Sequence, residues 1–176
     1  FGLSYTAFEH RVTDVTLDGR ILTARVQVAN TGKAAGREVV QAYLSVPGSV
    51  AQSLAAFAKT PVLAAGESCD TTLKIGLADN AVYNEENACW QLPGGEYRLY
   101  IGKNSRDTVT AAALALAETV TVEQCRTCCA ASGALHEIEA PAATLPPLPE
   151  TAVRLVIDPA AFACVAADYT EPQAAE

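Results

Sequence analysis

The 176-residue chain has no cluster of Lys and Arg, no apolar run long enough to cross a bilayer, and no initiator Met. Its 12 basic against 20 acidic side chains give a net charge of −8. Affinity for a polyphosphate backbone comes largely from counterion release by basic groups, so nucleic-acid binding is not expected. The longest uninterrupted apolar stretch, AAALALA at Ala111–Ala117, falls far short of the roughly 20 residues a membrane helix needs, and the chain reads as soluble, with no membrane partner. The opening FGLSYTAF, Phe1–Phe8, has neither a basic leader nor a small-residue cleavage site, so it reads as the interior of a longer polypeptide.

Catalytic signatures are equally sparse. His10 and His136 are the only histidines, and neither a Gly-x-Ser-x-Gly elbow nor a phosphate-cradling Gly-x-Gly-x-x-Gly occurs. The carboxylate pairs Glu85–Glu86 and Glu137/Glu139 are explained as a solvated turn and an acidic linker. The six cysteines, Cys69, Cys89, Cys125, Cys128, Cys129 and Cys164, could form three bridges in a small secreted protein. A chain this long and apolar does not need staples, and the favoured reading is free thiols in a reducing cytoplasm. Cys125 and Cys128 have zinc-knuckle spacing, with Cys129 and His136 as conceivable further ligands, but a second Cys-x-x-Cys is missing. The expectation is no catalytic, cofactor-binding or metal-binding residue and no cofactor. A bacterial, cytoplasmic location is favoured, with secretion left open.

What is present is strand alternation. In RILTARVQVAN, Leu22, Ala24, Val26 and Val28 share one face, while Arg20, Thr23, Arg25 and Gln27 mostly take the other. NTG at Asn30–Gly32 follows as a turn whose residues tolerate left-handed backbone. REVVQAYLSV sets Val40, Ala42, Leu44 and Val46 against Val39, Gln41, Tyr43 and Ser45. CDTTLKI sets Cys69, Thr71, Leu73 and Ile75 against Asp70, Thr72 and Lys74, after a turn at LAAGES, Leu63–Ser68. PGGEYRLYIG breaks at Pro-Gly-Gly, then points Tyr97, Leu99 and Ile101 inward and Glu96, Arg98 and Tyr100 outward. Short alternating strands with such punctuation predict an all-β protein, an immunoglobulin-like antiparallel β-sandwich. The lone Trp90, inside an apolar strand, is expected in its core.

The composition then shifts. After about Val109 the chain becomes Ala-rich, and AETVTVEQCRTCCAAS suggests a strand followed by a short helix ending at Gly133. EAPAATLPPLPE, Glu139–Glu150, is a Pro-rich spacer. Beyond it lie one strand-like run, Val153–Ile157, and an Ala-rich stretch with helical character. The division is a sandwich over 1–124, a short helix and Pro-rich linker over 125–150, and a C-terminal extension over 151–176. Linker and extension together carry much of the charge, since residues 125–176 hold 2 basic and 7 acidic side chains. Either it packs back on the sandwich or it begins something further.

Four blocks in order, GLSYTAF, NTGKAAGREVVQAYLS, LAAFAKTPVLAAGES and YNEENACWQLPGGEYRLYIGKNSRD, resemble the fibronectin type III-like domain of glycoside hydrolase family 3 enzymes such as β-glucosidases. The match runs over about Phe1–Asp107. The resemblance implies that Gly2–Thr6 is a linker pressed against a preceding domain, that Asn30–Gly32 and Ala35–Gly36 are turns, that Glu38–Tyr43 is a central strand, and that Leu92–Tyr97 turns into another. Where the family often has Pro-x-Lys-Glu-Leu, this chain has Ala51-Gln52-Ser53-Leu54 ahead of Phe57, which leaves any contact through that Lys-Glu pair unsupported. Retaining β-glucosidases use two carboxyl groups about 5 Å apart. In the family the nucleophilic Asp lies in a Ser-Asp-Trp setting on a barrel domain, and this chain has no Ser-Asp-Trp.

Three functions are therefore weighed. The favoured one is a non-catalytic accessory domain that packs against the catalytic domains of its own parent chain and lends a loop to the edge of the substrate cleft, near the oligosaccharide. The second is a carbohydrate-binding module, which exposed coplanar aromatics would favour over the scattered Tyr43, Tyr83 and Tyr100. The third is a stand-alone adhesion-type sandwich. Some family members place the barrel after this domain, and on that pattern Thr151–Glu176 would be a loosely anchored approach segment to it.

Overall fold

Twelve strands and two short 3-10 turns make up residues 4–126 and 145–166, the part of the chain that the computed structural model describes. In order they are β1 (Phe8–Asp18), β2 (Ile21–Asn30), β3 (Val39–Ser45), β4 (Ser53–Lys59), β5 (Ser68–Gly76), β6 (Val82–Asn84), β7 (Cys89–Leu92), β8 (Gly95–Asn104), β9 (Asp107–Leu116), β10 (Val120–Gln124), β11 (Val153–Ile157) and β12 (Val165–Ala166). Ala78–Asn80 and Pro159–Ala161 are the 3-10 turns. The strands form a three-stranded sheet β1-β2-β5, a five-stranded sheet β11-β9-β8-β3-β4 and a smaller sheet β12-β10-β7-β6.

The inward-facing sets follow the alternation. Leu22, Ala24, Val26 and Val28 of β2, Leu73 and Ile75 of β5, Val40, Ala42 and Leu44 of β3, and Tyr97, Leu99 and Ile101 of β8 form one core, none more than 2% exposed. This is the interior of a fibronectin type III-like sandwich, two sheets closing over interleaved apolar faces. Tyr97 carries its hydroxyl into that interior, donates it to the Pro93 carbonyl at 2.7 Å, and so ties β8 to the turn before it. Burial raises its pKa well above the ordinary tyrosine value.

The outward-facing sets depart from expectation. Tyr43, Ser45, Arg98 and Tyr100, assigned to a wet face, are all buried. The five-stranded sheet is covered on its outer side as well: Arg98, 8% exposed, pairs through Nε with Glu96 at 2.8 Å and donates from a terminal nitrogen to the Pro146 carbonyl. The Pro-rich spacer, where described, thus reaches the back of the sheet. Double-sided cover also explains β9, where Ala111, Ala112 and Ala113 are consecutively buried. A strand buried on both faces reads as a continuous apolar run, and small side chains let cover approach from both sides.

The tail is the second departure. Val153–Ile157 is a strand, as its apolar run suggested, and it pairs in parallel with Ala112–Leu116 of β9 across five residues. Its Ile157 and the following Phe162 enter the main core. Within the described residues, the extension packs back on the sandwich through the Val153–Ile157 strand and the side chains of Ile157 and Phe162. The Ala-rich stretch beyond it forms the turn Pro159–Ala161, capped by the Asp158 carboxylate on the Ala160 amide at 3.0 Å, and then β12, rather than a helix. β11 and β12 both pair in parallel with their neighbours, so the sheets are not purely antiparallel. Parallel pairing requires a long crossover, which the spacer supplies. The helix expected before Gly133, together with Cys128, Cys129 and His136, lies outside the described residues.

Local turn chemistry differs in one respect. LAAGES turns as expected, with Gly66 at φ 80° and the Glu67 amide donating to the Ala64 carbonyl at 3.0 Å. At Asn30–Gly32, however, no residue has positive φ. Gly32 is there for space: a Cβ would lie 2.1 Å from Thr6 Oγ1 and 2.5 Å from the Ala7 amide. Gly36, read as part of a turn, instead bridges to Leu63.

Candidate functional site

Trp90 is not in the core. It is 41% exposed, a correction with a simple geometric cause. The four-residue turn Glu85–Ala88 joins β6 to β7, and this sets Tyr83 opposite Trp90 in register. Cys89 faces inward and is buried, so Trp90 must face out. The turn is fixed by the Asn84 side chain accepting from the Asn87 amide at 3.0 Å and by Ala88 at φ 47°. Glu85 and Glu86 sit on it, exposed.

Trp90 is the centre of a row. Its cross-strand neighbour on β6 is Tyr83, on β7's other side Glu123 of β10, and Glu123 in turn pairs with Val165 of β12. The Tyr83 and Trp90 rings meet edge to face, centroids 5.3 Å apart at 62°, an arrangement favoured by the ring quadrupoles. Tyr83 thus flanks the indole on the β6 side. On the side toward β10 and β12 lies a cleft of about 560 Å³, lined among others by Arg20, Asp79, Trp90, Glu123, Phe162 and Val165. Arg20 comes from the β1–β2 turn, where its carbonyl accepts from the Leu77 amide at 2.9 Å, and Asp79 from the 3-10 turn that follows. The loops of the three-stranded sheet and the outer row of the small sheet therefore converge on one space.

The sequence pattern gives Arg20 only a place on a wet strand face and points to neither Asp79 nor Glu123. The signal that could have found Trp90 was the Tyr83-to-Trp90 spacing around a polar NEEN turn, which dictates a cross-strand pair. Tyr43 and Tyr100, the other two tyrosines weighed as a sugar platform, are buried behind the five-stranded sheet. Among the described residues no three His, Cys, Asp or Glu side chains are grouped to hold a metal ion, and Cys69, Cys89, Cys125 and Cys164 are free thiols.

His10 occupies a different place, a hollow of about 180 Å³ between β1 and the β8–β9 hairpin, beside Lys103 and Asp107. Neither ring nitrogen is hydrogen-bonded. Burial lowers its pKa, with Lys103 adding to the effect and Glu38 and Asp107 opposing it. A base whose folded-state pKa is depressed contributes stability that is complete above the unfolded value of about 6.5 and is lost as pH falls through the folded value. Thermal melts at pH 7.5 and pH 5 should show an acid loss that His10→Gln reduces; identical losses in both proteins would remove His10 from the account.

The comparisons with known proteins agree on the domain. Residues 38–105 match the fibronectin type III-like domain family. A β-glucosidase of Ruminococcus albus is 40% identical over 137 residues, covering 70% of this chain and 14% of that protein. Thermostable β-glucosidase B of Acetivibrio thermocellus is 34% identical over 133 residues, 70% of this chain and 17% of its own length. Among solved structures, a β-glucosidase from Paenibacillus barengoltzii superposes with TM-score 0.68 at 35% identity, over 72% of this chain and 16% of that one. β-Glucosidase 3B from Thermotoga neapolitana, solved with glucose, gives 0.60 at 35% identity, over 69% and 17%. The chain spans only about a sixth of these relatives, and over that span it carries a fibronectin type III-like domain homologous to that of the family 3 β-glucosidases.

Proposed function

We propose that this chain is a non-catalytic accessory domain of a family 3 β-glucosidase, packing against and stabilising the catalytic domains of its parent polypeptide. The observation that carries the reading is the free edge of the large sheet. β4 is its terminal strand, and it presents Leu54 at 53% and Phe57 at 68% exposure, with Val50 and Val62 at 40% and 53% on either side. Leu54 stands opposite Tyr43 and Phe57 opposite Gln41, so both continue the outer face of the sheet. A long edge strand with bare apolar side chains is an association hazard unless something covers it. A neighbouring domain of the same polypeptide is the cover that homology with part of a much longer enzyme supports.

The test compares this chain with its parent. The isolated chain should not hydrolyse 4-nitrophenyl β-glucoside, whereas the parent should. Phe57→Asp should change the stability of the isolated chain by no more than about 0.5 kcal/mol, as exposed sites do. In the parent it should cost about 2 kcal/mol, the worth of burying a Phe side chain. Hydrolysis by the isolated chain, an inactive parent, or equal effects of Phe57→Asp in the two proteins would each count against the reading.

A further inference from the structure

We infer that the cleft beside Trp90 is a binding site for a neutral pyranose sugar, one or two units of an oligosaccharide. This goes beyond the accessory role, is carried by a different face of the molecule, and does not depend on the activity of the parent. The half-exposed indole offers an apolar plate on which the C–H face of a pyranose can lie, and Tyr83 braces it from the opposite side by their edge-to-face contact. Around that plate stand one cationic and two anionic hydrogen-bonding groups, Arg20, Asp79 and Glu123. Among the described residues none of the three side chains is ion-paired or hydrogen-bonded, although they line one cleft.

Such a ring of donors and acceptors matches vicinal hydroxyls, each of which both donates and accepts. Two carboxylates against one guanidinium disfavour an anionic ligand, and the mixture of donors and acceptors around an apolar plate suits a polyhydroxy ring, which needs both, better than a cation, which only donates. The volume of about 560 Å³ lies within the range of small-molecule sites, which combine apolar walls with a few convergent polar groups. Phe162 and Val165 complete the apolar wall, and they come from the tail that β11 fastens to the sandwich, so the tail is part of the site.

The chain contains a single Trp, so its intrinsic fluorescence reports on this cleft alone. Titrating the 176-residue chain with cellotetraose should give a saturable change in Trp90 emission, half-complete on the order of 1 mM. Asp79→Asn and Glu123→Gln keep the reporter, and each should weaken binding about fivefold through one impaired hydrogen bond, with circular dichroism unchanged. Tyr83→Ala should weaken it as well by unbracing the ring. No saturable change up to about 10 mM, or titrations unaltered in the Asp79→Asn/Glu123→Gln double variant, would overturn the inference. So would tighter binding of tetragalacturonate than of cellotetraose.

Discussion

A chain that keeps β1 through β10 but lacks Leu145–Glu176 should fail to melt cooperatively. β11 supplies the outermost strand of the five-stranded sheet, pairing Val153–Ile157 with Ala112–Leu116. Ile157, at 1% exposure, and Phe162, at 7%, belong to the main core, and Leu155 packs against it. Burying a large apolar side chain is worth about 1.5–3 kcal/mol, so these three together stabilise the fold by about 5 kcal/mol. Whole domains have a net stability of only about 5–15 kcal/mol, so the truncation removes a large part of it, and in a marginal domain all of it.

Two further losses act in the same direction. The Ala112–Leu116 edge of β9 would become a bare row of backbone donors and acceptors on an apolar strand, the feature that templates aggregation. Arg98, buried on the outer face, would lose both the Pro146 carbonyl that now accepts from it and the segment that carries that carbonyl, keeping only the Glu96 carboxylate. Calorimetry and light scattering of the truncated chain beside the full one check this. A melting temperature within a few degrees of the full chain, with no scattering, would mean that β11 is an ornament of the sheet. Ile157→Ala offers a milder probe, with an expected cost of about 2–5 kcal/mol for emptying a core position.

The contrast between what the sequence disclosed and what it hid follows from what a hydrophobic pattern measures. Period-two alternation reports which side chains share a face, and Leu22 through Val28 or Tyr97 through Ile101 face inward as their spacing requires. It does not report what covers the opposite face. Tyr43, Ser45, Arg98 and Tyr100 look like a solvent face because all four carry a polar atom or charge, yet they are buried. The unbroken Ala111–Ala113 run was the available hint of two-sided cover. Trp90 was misassigned for a related reason: apolarity argued for burial, whereas hairpin register, set by the turn at Glu85–Ala88, decided which way the indole points. Arg20, Asp79 and Glu123 are distant in sequence and typical of surfaces, so no local pattern could have joined them. The Val153–Ile157 strand was legible as a strand, but its parallel partner was not, because nothing in a strand names the edge it will join.

Asn30→Asp should be among the most damaging single substitutions in the chain, costing about 4 kcal/mol near neutral pH through several buried groups left unsatisfied at about 1–3 kcal/mol each. Asn30 is fully buried, at 0% exposure. Its Nδ2 donates to the Ala34 carbonyl at 2.8 Å and the Leu63 carbonyl at 2.9 Å. Its Oδ1 accepts from Thr6 Oγ1 at 2.6 Å and from the Gly32 amide at 3.1 Å. Its backbone joins the same knot, the amide donating to Glu67 O at 2.8 Å and the carbonyl accepting from Gly66 at 2.9 Å. One side chain therefore holds together the lead-in at Thr6, the turn after β2 and the turn before β5.

An aspartate has the same shape but no donors. At neutral pH it would set a buried carboxylate against two carbonyl oxygens, which raises its pKa and destabilises the fold. Because the folded-state pKa would lie above the unfolded value of about 3.9, the penalty is full above the folded pKa and relaxes as pH falls toward the unfolded one. Protonation also restores one of the two lost donors. The variant should therefore regain part of its stability between neutral pH and about pH 4 relative to the parent sequence, while Asn30→Ala, which cannot titrate, should not. Denaturant melts of the three proteins at pH 7 and pH 4.5 separate these effects. A cost below about 1 kcal/mol for Asn30→Asp, or a pH response shared by Asn30→Ala, would show that the knot does not depend on the amide. Thr6→Val tests the same junction from the other side: it removes one of the four side-chain bonds and should cost about 1 kcal/mol. The lead-in to the sandwich is then held by the Asn30 side-chain amide at Thr6 together with the Thr31 and Gly32 backbone amides, which both donate to the Ala7 carbonyl.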